Sequence, residues 1–106
     1  MVEHYTYSVA WSQEDDAYIA TVAEFPSLAA HGAAMSEALQ ELQFVVSEVV
    51  QDLRASGEPV PRPLSVHRYS GKFNVRIPPS LHRDLAVAAA QAGVSLNQLV
   101  LHKLSR

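Results

Sequence analysis

The sequence holds no cysteine, and only four glycines and one tryptophan among its 106 residues. Without thiols neither a disulfide nor a thiolate metal site can form, which fits a reducing compartment. There is no amino-terminal basic-then-apolar leader, and no apolar run approaches the roughly 18 residues of a membrane helix. A soluble, cytoplasmic chain is expected. The five histidines, His4, His31, His67, His82 and His102, fall at none of the spacings that hold zinc. No serine or glycine-rich stretch resembles a nucleophile elbow or a phosphate loop. Asp15, Asp16, Glu24 and Glu37 are the carboxylates that a metal-dependent nuclease would use. Such a site needs them to converge on two ions about 3.5–4 Å apart, whereas sequence neighbours in a turn splay into solvent. The chain is therefore read as a non-enzyme without a cofactor.

Charge is present but divided. Residues 1 to 63 carry ten acids against two bases, a balance of −8, and residues 64 to 106 carry six bases against Asp84 alone, a balance of +5. Halves that differ so much suit different partners: a polyanion for the basic end and a basic protein for the acidic end.

Tyr5, Tyr7, Val9 and Trp11 alternate with small and polar residues, a period of two that predicts a strand. Ser12 to Asp16 reads as its turn and Ala17 to Val22 as the returning strand of an antiparallel hairpin. Phe25-Pro26-Ser27 interrupts the pattern, since proline donates no ladder bond, and Leu28 to His31 offers a third strand before Gly32. Trp11 and the tyrosines are expected in the core. Ser36 is placed to cap a helix, with Glu37 at the positive end of its dipole. Leu39, Leu42, Val46, Val49 and Leu53 form the apolar stripe, widened by Ala38, Val45 and Val50. Gly57 and the prolines between Glu58 and Pro63 end the helix. Leu64 to Tyr69 then reads as a strand returning to the edge of the first sheet.

Ser70-Gly71 is the expected joint between two domains, 1–69 and 70–106. Beyond it, Phe73, Val75 and Ile77 alternate with Lys72, Asn74 and Arg76, and nothing later in the chain supplies a strand to pair with them. Pro79-Ser80 opens a helix with Leu81, Leu85, Ala88, Ala89 and Ala92 on one face, and Gly93 ends it. Ser95-Leu96-Asn97-Gln98 matches a capping box, and the helix it starts turns Leu96, Leu99, Val100 and Leu104 inward. One strand and two short helices bury too little surface to stand alone. Two copies paired about a two-fold axis would complete the ladder of Lys72 to Ile77. One side of this ribbon covers a four-helix core, and the other shows Lys72, Asn74 and Arg76 twice. Such a ribbon fits the major groove of DNA, where Arg or Lys reads guanine and Asn reads adenine. The free amides around Leu96 and Asn97 suit a backbone phosphate. An isolated Lys-x-Asn-x-Arg strand would more simply be an edge protected by its charges.

Ser70 to Val100 (SGKFNVRIPPSLHRDLAVAAAQAGVSLNQLV) resembles the ribbon-helix-helix tail of HicB-type antitoxins. The front half is similar to the same family in Tyr7 to Gly32 and in SEALQELQ from Ser36. The resemblance implies an α+β chain: a small antiparallel sheet with one long helix, of partial ribonuclease-H-like HicB type, followed by an Arc/MetJ-like ribbon-helix-helix dimerisation domain. It also implies two partners, a HicA-type toxin (a small basic ribonuclease that cleaves mRNA) and operator DNA of the chain's own operon, bound as a homodimer. Lys72, Asn74 and Arg76 would read bases, and Ser95, Leu96 and Asn97 would hold phosphate. For the toxin, charge points to Glu14, Asp15 and Asp16 in the hairpin turn and to the strand beginning at Tyr18. Ala33-Ala34 departs from the family pattern, which more often has a polar residue with threonine there, a difference that bears on the start of the long helix. The alternatives are a stand-alone regulator whose front domain senses or oligomerises, and the metal-dependent nuclease. A tetramer through the front domains stays open.

Overall fold

The computed structural model describes residues 1–105 and divides the chain into two compact units, Met1–Tyr69 and Ser70–Arg106. Among the described residues the chain is α+β, with one three-stranded antiparallel sheet and three α-helices.

In the first unit β1 (Tyr7–Ser12), β2 (Ala17–Val22) and β3 (Ala29–Gly32) form a meander in that order. The hairpin register sets Tyr7 opposite Val22 and Trp11 opposite Tyr18. The connecting loop holds Asp16 at φ 50, a left-handed conformation that an aspartate tolerates better than a branched residue. Ser12 Oγ accepts the Asp15 N–H, which closes the loop locally.

α1 (Met35–Ala55) lies on the sheet and buries Ala38, Leu42, Val46 and Val50 against Ala20, Val22 and Ala30. The fully buried positions recur every four residues, so the stripe is centred on that row, and Leu39, Val45, Val49 and Leu53 flank it half-buried. Burying a side chain the size of Leu42 or Val46 stabilises by about 1.5–3 kcal/mol. The close approach of helix to sheet depends on Gly32: a Cβ there would stand 2.5 Å from Ala38 N and 2.9 Å from Glu37 Cβ.

Three expectations are corrected in this part of the fold. Ser36 does not cap α1; Ala34 holds the N-cap position with no side-chain bond, and Glu37 reaches back to accept the Ala33 N–H at 3.1 Å. Trp11 and Tyr69 are exposed, Tyr7 and Tyr18 are half-buried, and Tyr5 alone of these aromatics lies in the core. The third strand is displaced by one residue, to Ala29–Gly32.

The largest difference is at Leu64 to Tyr69, which forms a 3-10 turn at Leu64–Val66 and joins no sheet. Bonds within the segment and to Pro63, Glu24 and His4 take its donors and acceptors instead. Leu64 N–H goes to Glu24, Val66 N–H to Pro63 O, His67 N–H and the Tyr69 hydroxyl to Leu64 O, and the Ser65 hydroxyl to His4 O. β1 consequently keeps an open outer edge.

In the second unit α2 (Pro79–Ala92) starts with proline at its first position and ends at Gly93, φ 71 and ψ 27. Gly93 and Val94 donate back to Ala90 O and Ala89 O, which satisfies the last turn. α3 (Leu96–Leu104) follows at 100° to α2. Only Ala89 of this unit's described residues is buried. Leu104, expected to face inward, and Leu81, expected on the apolar face of α2, are exposed, because two short helices bury little between them.

Candidate functional site

Lys72 to Ile77 makes no strand ladder with any of the described residues. The segment is entered through Gly71 at φ 86 and steadied by Ser70, whose Oγ accepts the Lys72 N–H at 3.1 Å. Lys72, Asn74 and Arg76 are all exposed. So are the apolar side chains between them: Phe73 is 75% and Val75 68% accessible, while Ile77 is half-buried. Phe73 to Ile77 and His82 line an open cleft. On α3 the apolar Leu101 and Leu104 are also exposed, at 66% and 68%.

The start of α3 is built as a capping box. Ser95 Oγ accepts the Gln98 N–H at 3.0 Å, and Gln98 Oε1 accepts the Ser95 N–H at 3.1 Å. Of the three residues expected to hold phosphate, Ser95 therefore has its amide already engaged. The amides of Leu96 and Asn97 meet no acceptor among the described residues. Anions favour such a helix start, where the orphan donors and the dipole act together.

In the first unit Glu14, Asp15 and Asp16 are exposed in the β1–β2 loop. Asp15 Oδ2 lies 3.7 Å from His31 Nε2, with both side chains about half exposed, an arrangement worth little in water. Tyr18 packs edge-to-face on Trp11 at 5.1 Å between ring centres. Tyr18 pairs with Gly32, and the next residue, Ile19, pairs with His31. Since neighbours along a strand face opposite sides, Tyr18 lies on the helix-covered face and the Asp15–His31 pair on the open one. The four residues expected to share one partner surface thus border both faces of one end of the sheet.

Sequence reasoning missed Glu24 as an organising group. Its carboxylate accepts from Thr6 N–H at 2.9 Å, Thr6 Oγ1 at 3.1 Å and Leu64 N–H at 2.8 Å. Partial burial pushes its pKa up, but the Leu64 and Thr6 backbone donors outweigh this and hold it below the ordinary glutamate value. No local spacing signals a bond to a residue 40 positions away. Nor do the described residues bring three or more His, Asp or Glu side chains together to hold a metal ion. No single described helix is long and apolar enough to cross a membrane.

Residues 57–104 match the HicB family. The match covers a little under half of the chain. The HicB match runs through the proline-rich segment, the Lys72–Ile77 stretch and both helices of the second unit to Leu104. No curated protein and no solved structure matches the chain.

Proposed function

We propose that this chain is an antitoxin that binds and neutralises a HicA-type, mRNA-cleaving toxin and represses its own operon by binding operator DNA as a dimer. The observation that carries the reading is the second unit's unpaired Lys72–Ile77 segment. It combines an exposed apolar row, Phe73 and Val75, with Lys72, Asn74 and Arg76, and it precedes two capped helices with exposed leucines. A second copy, strand against strand, would cover the apolar row and satisfy the free backbone. The resulting ribbon-helix-helix dimer presents two sets of Lys, Asn and Arg to base edges. The Leu96 and Asn97 amides hold a phosphate on each side, and the Ser95 capping box keeps them oriented.

The test is the combined variant Lys72→Ala, Asn74→Ala, Arg76→Ala, with binding to the upstream DNA of its own operon measured at fixed salt. Each lost base contact is expected to cost about 1–3 kcal/mol of discrimination. Unchanged operator binding would remove the ribbon from the interface.

A second reading has one observation in its favour: the HicB match leaves residues 1 to 56 outside it. In that case the second unit is a stand-alone ribbon-helix-helix regulator and the first unit a sensor or oligomerisation module. The readings separate on whether an adjacent reading frame encodes a small basic protein that is toxic when expressed without this chain.

A further inference from the structure

The three-stranded sheet has two edges, and they are managed differently. β3 is only four residues long, one of the usual ways to blunt an edge. β1 has none of the usual protections. Tyr7–Ser12 carries no charge, no proline and no bulge, and it pairs residue for residue with β2 over its full length. Alternate residues of such a strand direct their N–H and C=O groups away from the neighbour. On this outer side the described residues supply β1 with no backbone partner.

The side chains tell the same story. α1 sits mainly over β2 and β3, so the helix-side row of β1 is covered progressively less: Tyr7 and Val9 are half-buried and Trp11 is 48% accessible. The segment that alternates as a fourth strand should, Leu64 to Tyr69, is tied into its own turn and leaves the position vacant. Acidic groups flank this edge at both ends. Glu14, Asp15 and Asp16 stand in the loop after β1, and Glu3 and Glu24 stand near its start, with Glu24 bonded to Thr6.

We infer that the outer edge of β1, Tyr7–Ser12, receives an extended segment of a basic protein partner as a fourth strand. The ladder supplies affinity, the Tyr7–Val9–Trp11 row takes alternate apolar side chains, and the flanking carboxylates pair with Lys or Arg on either side. A second copy of the first unit is disfavoured at this edge, because ten acids against three bases give Met1–Tyr69 a charge of −7. This inference rests on the toxin-binding reading and assigns the surface that serves it.

The test uses the full chain and, as probe, the purified basic protein encoded by the adjacent reading frame. Val9→Pro and Ala10→Pro are compared. In an antiparallel pair one of two successive N–H groups points inward and the other outward, so one variant breaks the β1–β2 ladder and the other removes only an outer donor. The variant that keeps wild-type circular dichroism and melting is expected to bind the probe about tenfold or more weakly, from a lost ladder bond plus steric exclusion of the added strand. In the wild-type complex the outward β1 amides should gain hydrogen-exchange protection, a readout that decides the matter even if neither variant folds. Wild-type affinity in the folded proline variant, or β1 amides unprotected in the complex, overturns the edge assignment and leaves the toxin reading standing. Failure of the wild-type chain to bind the probe overturns the toxin reading and the edge with it. Protection of β1 that rises with concentration of the chain alone assigns the edge to a second copy and overturns the basic partner.

Discussion

Glu24 shows how a single carboxylate can tie together parts of a chain that the sequence keeps apart. It fastens Thr6, at the entry to β1, and Leu64, after the proline-rich segment. Its pKa is depressed in the folded chain, so its ionised form is the one that folding favours. Such a group stabilises fully above its unfolded value, near 4.5, and its contribution fades as pH falls through the lower folded value. Glu24→Gln should therefore lower the melting temperature at neutral pH, with a loss of about 1 kcal/mol once solvent screening is allowed for. The difference between variant and wild type should shrink as pH falls from about 4.5 through the depressed folded value of Glu24, below which both side chains are neutral. Thermal melts across pH 3 to 7 measure this, and an equal difference at every pH would show that the charge is not what Glu24 contributes.

At the level of elements, the features legible in the sequence are those that local pattern determines. The hairpin, the long helix, the proline start and Gly93 end of α2 and the Ser95 capping box are all set by residues within one turn of each other. What failed depended on competition at a distance. Leu64 to Tyr69 alternates as a strand should, yet Glu24 claims its first amide from across the unit. Trp11 has the composition of a core residue, but α1 does not extend over it. Of the candidate site, the exposure of Lys72, Asn74 and Arg76 was legible from their polarity, whereas the equal exposure of Phe73 and Val75 was not, since alternation implies one covered face. The division of Asp15 and Tyr18 between two faces was not, since it depends on the register against β3.

The capping box carries a prediction of its own. Ser95→Ala removes the acceptor for Gln98 N–H and should cost about 1 kcal/mol of stability, read in a denaturant melt. It should also weaken operator binding beyond that loss, because the free amides of Leu96 and Asn97 lose the geometry that aims them. DNA affinity equal to wild type under conditions where the variant is fully folded would detach the helix start from phosphate binding.

For the whole molecule the two units differ in kind. Met1–Tyr69 has a contiguous core from Tyr5 to Val50, whereas Ala89 is the one buried hydrophobic residue among those described in the second unit. A unit of that size with Leu81, Leu101, Leu104 and Phe73 exposed has little to hold it together alone. Sedimentation at micromolar concentration should accordingly give at least a dimer, and Phe73→Asp should shift it toward monomer while leaving the first unit folded. A stable wild-type monomer would contradict the paired ribbon. Charge reinforces the division, since Met1–Tyr69 carries −7 and Ser70–Arg106 carries +4. DNA binding should for that reason weaken steeply with salt through the second unit's bases.

Trp11 is the chain's single tryptophan, and it stands half in water beside the open edge of β1. Its ultraviolet emission is therefore a built-in optical gauge that belongs to one unit only. A strand laid along that edge would dry the indole and move its emission to shorter wavelength, while events confined to the basic ribbon would leave it unmoved. Emission from one unlabelled chain would thus report strand addition at β1 apart from events at the ribbon.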